Sequence, residues 1–221
     1  MARRLRLGVL VSGSGSNLQA ILDACAARRI PAEVAVVISN VPDAHGLKRA
    51  RDARVPAISL PHHGFARRED YDARLVSELK AKGVELVCLA GFMRIVTPVL
   101  LSAFPQRVIN IHPSLLPAFP GMHGVGEAFR AGVRVSGCTV HFVDEGTDTG
   151  PILIQAAVPI LDGDSEETLA ARILEQEHRI YPRAIALIAE GRVQLEGRRV
   201  RITGTQPDAK STLASPPVDD P

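Results

Sequence analysis

The chain has 221 residues, enough for one large α/β domain with a full core or for two small ones. Apolar residues make up 46% and charged residues 23%, an ordinary balance for a soluble globular protein, and no segment approaches the length needed to cross a bilayer. A net charge of +2 and only 4% aromatic residues supply neither a basic footprint nor base-stacking platforms, so no nucleic-acid partner is expected.

Leu5 to Val11 reads as a first strand. With Arg3-Arg4-Leu5-Arg6 in front it superficially resembles a signal peptide, but its apolar run is short and enters Ser12-Gly13-Ser14-Gly15 without a cleavage pattern. After Ser16-Asn17, Leu18, Ile21, Leu22 and Cys25 recur at helical spacing. Strand, glycine-rich turn and helix together aim backbone N–H groups and a helix dipole at an anion. A Walker-type loop needs Lys after its second conserved glycine, and here Ser follows both Gly13 and Gly15. The dinucleotide fingerprint needs a third small residue where this chain has Leu18. A single phosphate held by Gly15, Ser16 and Asn17 fits what remains; the alternative is a plain turn with Ser16 or Asn17 as helix cap.

Glu33 to Ser39 is expected as a strand apolar on both faces, followed by a helix from about Ala44 to Ala53 and a short strand from Val55 to Leu60. Such quick alternation points to a parallel sheet. Pro61-His62-His63-Gly64 reads as an exposed turn, since no third metal ligand lies at a usual spacing. A helix opening at Arg67-Arg68-Glu69-Asp70 presents Tyr71, Leu75 and Leu79 on one face. Val84 to Leu89 is a central strand, and Phe92, Met93 and Ile95 leave its carboxyl end as core or as the wall of an apolar pocket. Arg94 among them favours a pocket holding an anion or a polar ring. A short helix follows near Pro98 to Ala103.

Val108 to Ile111 is a buried strand stopped by prolines, and Asn110 and His112, two residues apart, project side by side from its carboxyl end. Carboxyl ends of strands are where open α/β sheets hold ligands. An amide beside an imidazole supplies a donor for a developing oxyanion and a group that titrates near neutrality; the competing role is satisfying backbone groups before Pro113. Ala118 to Gly126 is expected as a surface loop, with a helix from Glu127 to Ala131. Val133 to Val143 is a strand in which Thr139 and His141 share a face, then comes an acidic loop from Asp144 to Gly150 and a strand from Pro151 to Val158. Asp164 as N-cap with Glu167 forms a capping box for a long helix to Ala189, kinked at Pro182 and carrying Glu177 and His178 in its middle. Arg192 to Leu195 and Arg199 to Ile202 form a hairpin, and residues 204–221 an unstructured tail. Cys25, Cys88 and Cys138 make neither a disulfide framework nor a zinc spacing, and read as reduced thiols of a cytoplasmic protein.

Ile109-Asn110-Ile111-His112-Pro113-Ser114-Leu115-Leu116-Pro117, read with Thr147-Asp148-Thr149-Gly150-Pro151, closely resembles the folate-dependent phosphoribosylglycinamide formyltransferases, from about Leu7 to Ile202. Gly13 to Ala20 resembles that family's phosphate loop, and Ala90-Gly91-Phe92-Met93-Arg94-Ile95 its folate-pocket segment. The resemblance implies formyl transfer from 10-formyltetrahydrofolate, a co-substrate, to the amine of glycinamide ribonucleotide, with no metal. It assigns catalysis to Asn110, His112 and Asp148, supported by Thr139 and His141, and the nucleotide to Gly15, Ser16, Asn17 and Glu177. Folate falls to Arg68, Phe92, Met93, Arg94, Ile95, Val96, Asn110, Val143, Asp144 and Asp148. The fold it implies is a single Rossmann-like domain over residues 1–203: a mostly parallel sheet with helices on both faces, an antiparallel C-terminal extension and a long C-terminal helix. A nucleotide-phosphate half would end near residue 105 and a catalytic and folate half would follow, in a monomer or homodimer whose partners are small molecules, not membranes.

One departure stands out: after Pro120-Gly121-Met122-His123 the family continues with a Thr-His pair, where this chain has Gly124-Val125-Gly126. The nearest rivals are methionyl-tRNA formyltransferase and formyltetrahydrofolate hydrolase, which share the Asn, His and Asp trio. A further C-terminal domain in the former and a regulatory domain ahead of the catalytic one in the latter set them apart, and the phosphate loop favours a small phosphorylated acceptor. A non-catalytic nucleotide-binding protein, the rival of another class, needs no carboxylate near His112.

Overall fold

The computed structural model describes residues 3–204 together with Leu213 and Ser215. The expected tail therefore lies, apart from those two residues and Gly204, outside the described residues. Seven strands form one sheet: β1 (Leu5–Val11), β2 (Ala32–Ser39), β3 (Ala57–Ser59), β4 (Leu86–Leu89), β5 (Val108–His112), β6 (Val135–Phe142) and β7 (Ile152–Pro159). Their order is β3-β2-β1-β4-β5-β6-β7, parallel through β5 and antiparallel for β6 and β7. The helices are α1 (Ser16–Ala26), α2 (His45–Asp52), α3 (Arg68–Ala81), α4 (Pro98–Ala103), α5 (Gly124–Arg130) and α6 (Glu166–Ala189). A separate hairpin, β8 (Val193–Glu196) and β9 (Arg199–Ile202), follows α6.

Strand alternation divides the core. Leu7, Val9 and Val11 of β1 join Leu86, Cys88, Ile109 and Ile111 in packing against α1, α2 and α6. Leu10, Val87, Leu89 and Val108 face the other way, toward Tyr71, Leu75 and Leu79 of α3 and Leu100 of α4. Fully burying one such side chain contributes roughly 1.5–3 kcal/mol, so a one-residue slip of any central strand would cost many times that. With β1, β4 and β5 so fixed, the direction of strand addition reverses beside β1, and the crevice expected at such a switch point opens between the carboxyl ends of β1 and β4.

Tyr181 ties α6 to this edge. Fully buried, its hydroxyl donates to Leu89 O at 2.9 Å and lies 3.2 Å from Ile109 O, at the ends of β4 and β5. Tyr181→Phe leaves both carbonyls without this donor and should lower the unfolding free energy by about 1–2 kcal/mol in urea titration; an unchanged midpoint contradicts that role.

Two local expectations are corrected. Helix α5 starts at Gly124, three residues before the expected Glu127. A Cβ on Gly124 would sit 2.9 Å from Phe119 O and 3.1 Å from His112 Nε2, and one on Gly126 2.7 Å from Glu166 Oε1. At Gly124 helix propensity gives way to close packing on the Phe119 carbonyl, so a propensity reading takes the segment for loop. The cap of α6 is Ser165, boxed with Thr168, one residue later than expected. Asp164 is instead engaged by both terminal nitrogens of Arg172, at 2.6 and 2.8 Å. The helix runs unbroken through Pro182.

Candidate active site

Asn110 and His112 do stand side by side at the end of β5, and the antiparallel register of β6 sets His141 opposite Asn110 and Thr139 opposite His112. His112 is 4% exposed. Its Nδ1 lies 3.3 Å from Asp148 Oδ2 and its Nε2 2.9 Å from Phe119 O. Both neighbours are acceptors, so the imidazolium is the form that donates to each. Asn110 Nδ2 lies 3.2 Å from His141 Nε2 and 3.4 Å from Asp148 Oδ1. His141 Nδ1 donates to Phe142 O at 2.9 Å, and its Nε2 lies 3.2 Å from Asn110 Nδ2 and 3.6 Å from Asp148 Oδ1. The long contact of Asn110 to Asp148 is the one an incoming oxyanion most easily replaces.

Asp148 reaches this group through backbone strain. Its φ is +55°, a left-handed conformation uncommon for a residue with a side chain. Gly121 N–H donates to Asp148 Oδ2 at 2.8 Å and holds the carboxylate there. Burial alone would raise this carboxyl, but His141, the Gly121 N–H and His112 outweigh it and keep it below the ordinary carboxylate range. Thr139 acts one step back. It donates to Ser114 O at 2.7 Å and accepts from Leu116 N–H at 3.1 Å and Gln155 Nε2 at 3.0 Å. Gln155 also donates to Leu116 O at 2.9 Å, so the turn after His112 is clamped from β6 and β7.

The segment after β4 lines two cavities with different residues. Leu89, Phe92, Arg94, Ile95 and Val96 join Asn110, His141, Val143, Asp144 and Gly146 to Asp148 around a cavity of about 120 Å³. Arg94 lies over the Tyr71 ring, 4.6 Å from its centroid, and its Nε is buried without a protein partner. Ala90, Gly91 and Met93 face the other way, closing with Ser12 to Asn17 a cleft of about 190 Å³. Met93, assigned to folate, thus borders the glycine-rich loop, and Arg68, at the exposed start of α3, lines neither cavity. Ser12 joins the walls: its N–H donates to Gly91 O at 2.9 Å and its hydroxyl accepts from Met93 N–H at 2.8 Å.

Glu177 reaches the loop from α6, accepting from Asn17 Nδ2 at 2.7 Å. Burial, partly offset by that bond, pushes its carboxyl up to about 7 from an ordinary 4.5. Between those values the folded protein holds a proton the unfolded chain releases, so this stability is complete below about 4.5 and gone above about 7. Glu177→Gln keeps an acceptor for Asn17 and does not titrate. Its stability relative to the native protein should therefore rise between about pH 5 and about pH 8, and a difference equal at both pH values contradicts the raised pKa.

Among the described residues no group of three or more His, Cys, Asp or Glu is placed to hold a metal, and no helix is long and apolar enough to cross a membrane. Gln155, Ser114, Phe119 and Gly121 were not singled out by sequence reasoning, and three of their contributions are backbone groups, which carry no residue signature.

A formyl transferase family model matches residues 5–185. Phosphoribosylglycinamide formyltransferase of Escherichia coli is 44% identical over 200 residues, 90% of this chain and 94% of that protein. The trifunctional purine biosynthetic protein adenosine-3 of Drosophila melanogaster is 52% identical over 191 residues, of which the chain spans only 14% of the length. The crystal structure of glycinamide ribonucleotide transformylase 1 from Symbiobacterium toebii superposes with a TM-score of 0.90 at 58% identity, covering 91% of this chain and 95% of that one. The chain belongs to the formyl transferase family.

Proposed function

We propose that the chain transfers the formyl group of 10-formyltetrahydrofolate to the amine of glycinamide ribonucleotide, giving formylglycinamide ribonucleotide and tetrahydrofolate. The observation that carries this reading is the meeting of Asn110, His112 and Asp148 where the cavity and the cleft share the β4 segment. The nucleotide phosphate sits on the N–H groups of Gly15, Ser16 and Asn17, with Glu177 beside the ribose or glycinamide part. The pterin enters the cavity between the β4 segment and the loop from Val143 to Asp148, lying against Phe92, Arg94, Ile95 and Val96.

In this mechanism the nucleotide amine attacks the formyl carbon and a tetrahedral intermediate forms. Asn110 donates to the developing oxyanion, which is worth about 10²–10³ in rate for a well-placed donor. The His112 imidazolium, held by Asp148, adds positive charge; its Nε2 becomes a second donor once Phe119 O yields. The amine loses a proton, the carbon–N10 bond breaks, and N10 of the departing tetrahydrofolate gains one, with Asp148 relaying through a water. No covalent enzyme intermediate is needed. The decisive assay follows tetrahydrofolate release from 10-formyltetrahydrofolate with and without glycinamide ribonucleotide. Release should depend on the nucleotide; release that ignores it contradicts the proposal and points to hydrolysis.

A further inference from the structure

An anion-binding loop must do two things: converge its N–H groups and turn its carbonyl oxygens away, because a carbonyl pointing inward repels a phosphate. The first is visible in many turns; the second needs partners outside the loop. Here those partners come chiefly from α2. Gly46 N–H donates to Gly13 O at 3.0 Å. Arg49 Nε donates to Ser14 O at 2.8 Å, and His45 Nδ1 lies 3.3 Å from the same oxygen. The next carbonyl, Gly15 O, is taken by Gln19 N–H at 2.9 Å as α1 begins. Three successive carbonyls are thus engaged, while among the described residues no protein group accepts from the N–H groups of Gly15, Ser16 or Asn17.

The approach of α2 is close because two glycines meet. A Cβ on Gly15, whose φ is +68°, would lie 2.6 Å from Gly46 Cα, and one on Gly46 would lie 2.9 Å from Val11 Cγ2. Arg49 spans the junction, its Nη1 donating to Gln19 Oε1 of α1 at 3.1 Å while Nε holds Ser14 O. It does not line the cleft between the loop and the β4 segment.

We propose that Arg49 is a positioning residue for the nucleotide: by drawing the Ser14 carbonyl onto α2 it turns the following N–H groups into the cleft. This rests on the phosphate-loop reading above. Arg49→Met should raise the KM for glycinamide ribonucleotide about tenfold, the loss expected for one charge-assisted hydrogen bond, with kcat and the folate KM within about twofold. Arg49→Lys should behave almost as badly, since an ammonium lacks the fork that holds two oxygens on different elements. Full recovery with Lys, or parallel loss of kcat and both KM values, overturns the proposal. Amide chemical shifts during titration with inorganic phosphate separate it from the reading beneath it. Gly15, Ser16 and Asn17 should shift in the native protein and saturate at higher phosphate in Arg49→Met. Native amides that do not respond remove the phosphate-loop reading itself; equal affinity in protein and variant removes only the role of Arg49.

Discussion

Replacing Asp148 with Asn should lower kcat for formyl transfer by about 10³-fold while nucleotide binding stays within a few-fold of normal. The substitution preserves shape, and the Asn side-chain oxygen can still accept from Gly121 N–H. What it removes is the negative charge 3.3 Å from His112 Nδ1 and 3.4 Å from Asn110 Nδ2. The imidazole then loses its carboxylate partner, the amide loses its orientation, and the proton relay loses its acceptor. The nucleotide cleft is lined by Ser12 to Asn17 with Ala90, Gly91 and Met93, and Asp148 is not among its walls, so ground-state affinity should survive. The same carboxylate is held below its ordinary range, so its contribution to stability is present at neutral pH and fades only as pH falls through that lowered value. Steady-state kinetics with calorimetric titration of the nucleotide checks the first claim, and a variant keeping more than about a tenth of the rate contradicts it.

The largest structural effect is expected from Gly150→Ala. A Cβ there would lie 1.8 Å from Phe142 O, where the loop between β6 and β7 folds back on the strand it left. Phe142 O is already the acceptor for His141 Nδ1, and Phe142 N–H donates to Pro151 O at 2.9 Å, so neither backbone can retreat without breaking a bond at the site. We expect a loss of about 3 kcal/mol or more of unfolding free energy, at the severe end for single substitutions, together with most of the turnover. Urea titration of the purified variant measures the first effect and tetrahydrofolate release the second. Native-like stability would mean that the loop has another low-energy path, and with it that the strained φ of Asp148 is not imposed by this crossing.

Much of this arrangement is readable in the sequence because it depends on period. Asn110 and His112 share a face since they are two apart on a strand, and the two-sided apolar runs of β1, β2 and β4 announce strands buried between helices. The glycine-rich turn after β1 is equally plain. Asp148 is different: it lies 38 residues beyond Asn110, and its arrival depends on the β5–β6 register, on Gly150 and on a positive φ, none of which leaves a local pattern. Only the resemblance of Thr147-Asp148-Thr149-Gly150-Pro151 to a known motif singled it out. The sequence groups Met93 with Phe92 and Arg94, and carries no signal that Met93 borders the cleft at the glycine-rich loop while its two neighbours line the other cavity. Arg49 and Gln155 read as ordinary polar positions on a helix and a strand, because their partners are carbonyl oxygens of distant turns. The start of α5 is hidden by glycines, of which Gly124 sits against the Phe119 carbonyl, and the cap of α6 by an Asp that an arginine claims instead.

Everything rests on three side chains bringing an amine and a formyl carbon together at one crevice. The most direct measurement is a crystal structure with glycinamide ribonucleotide and a folate analogue lacking a transferable formyl group. It should show the phosphate on the amides of Gly15, Ser16 and Asn17, the pterin between Phe92, Val96 and the 143–148 loop, and the amine within about 3.5 Å of the position of the formyl carbon, beside Asn110, His112 and Asp148. A phosphate bound elsewhere, or an amine held far from that carbon with both ligands in place, would contradict it.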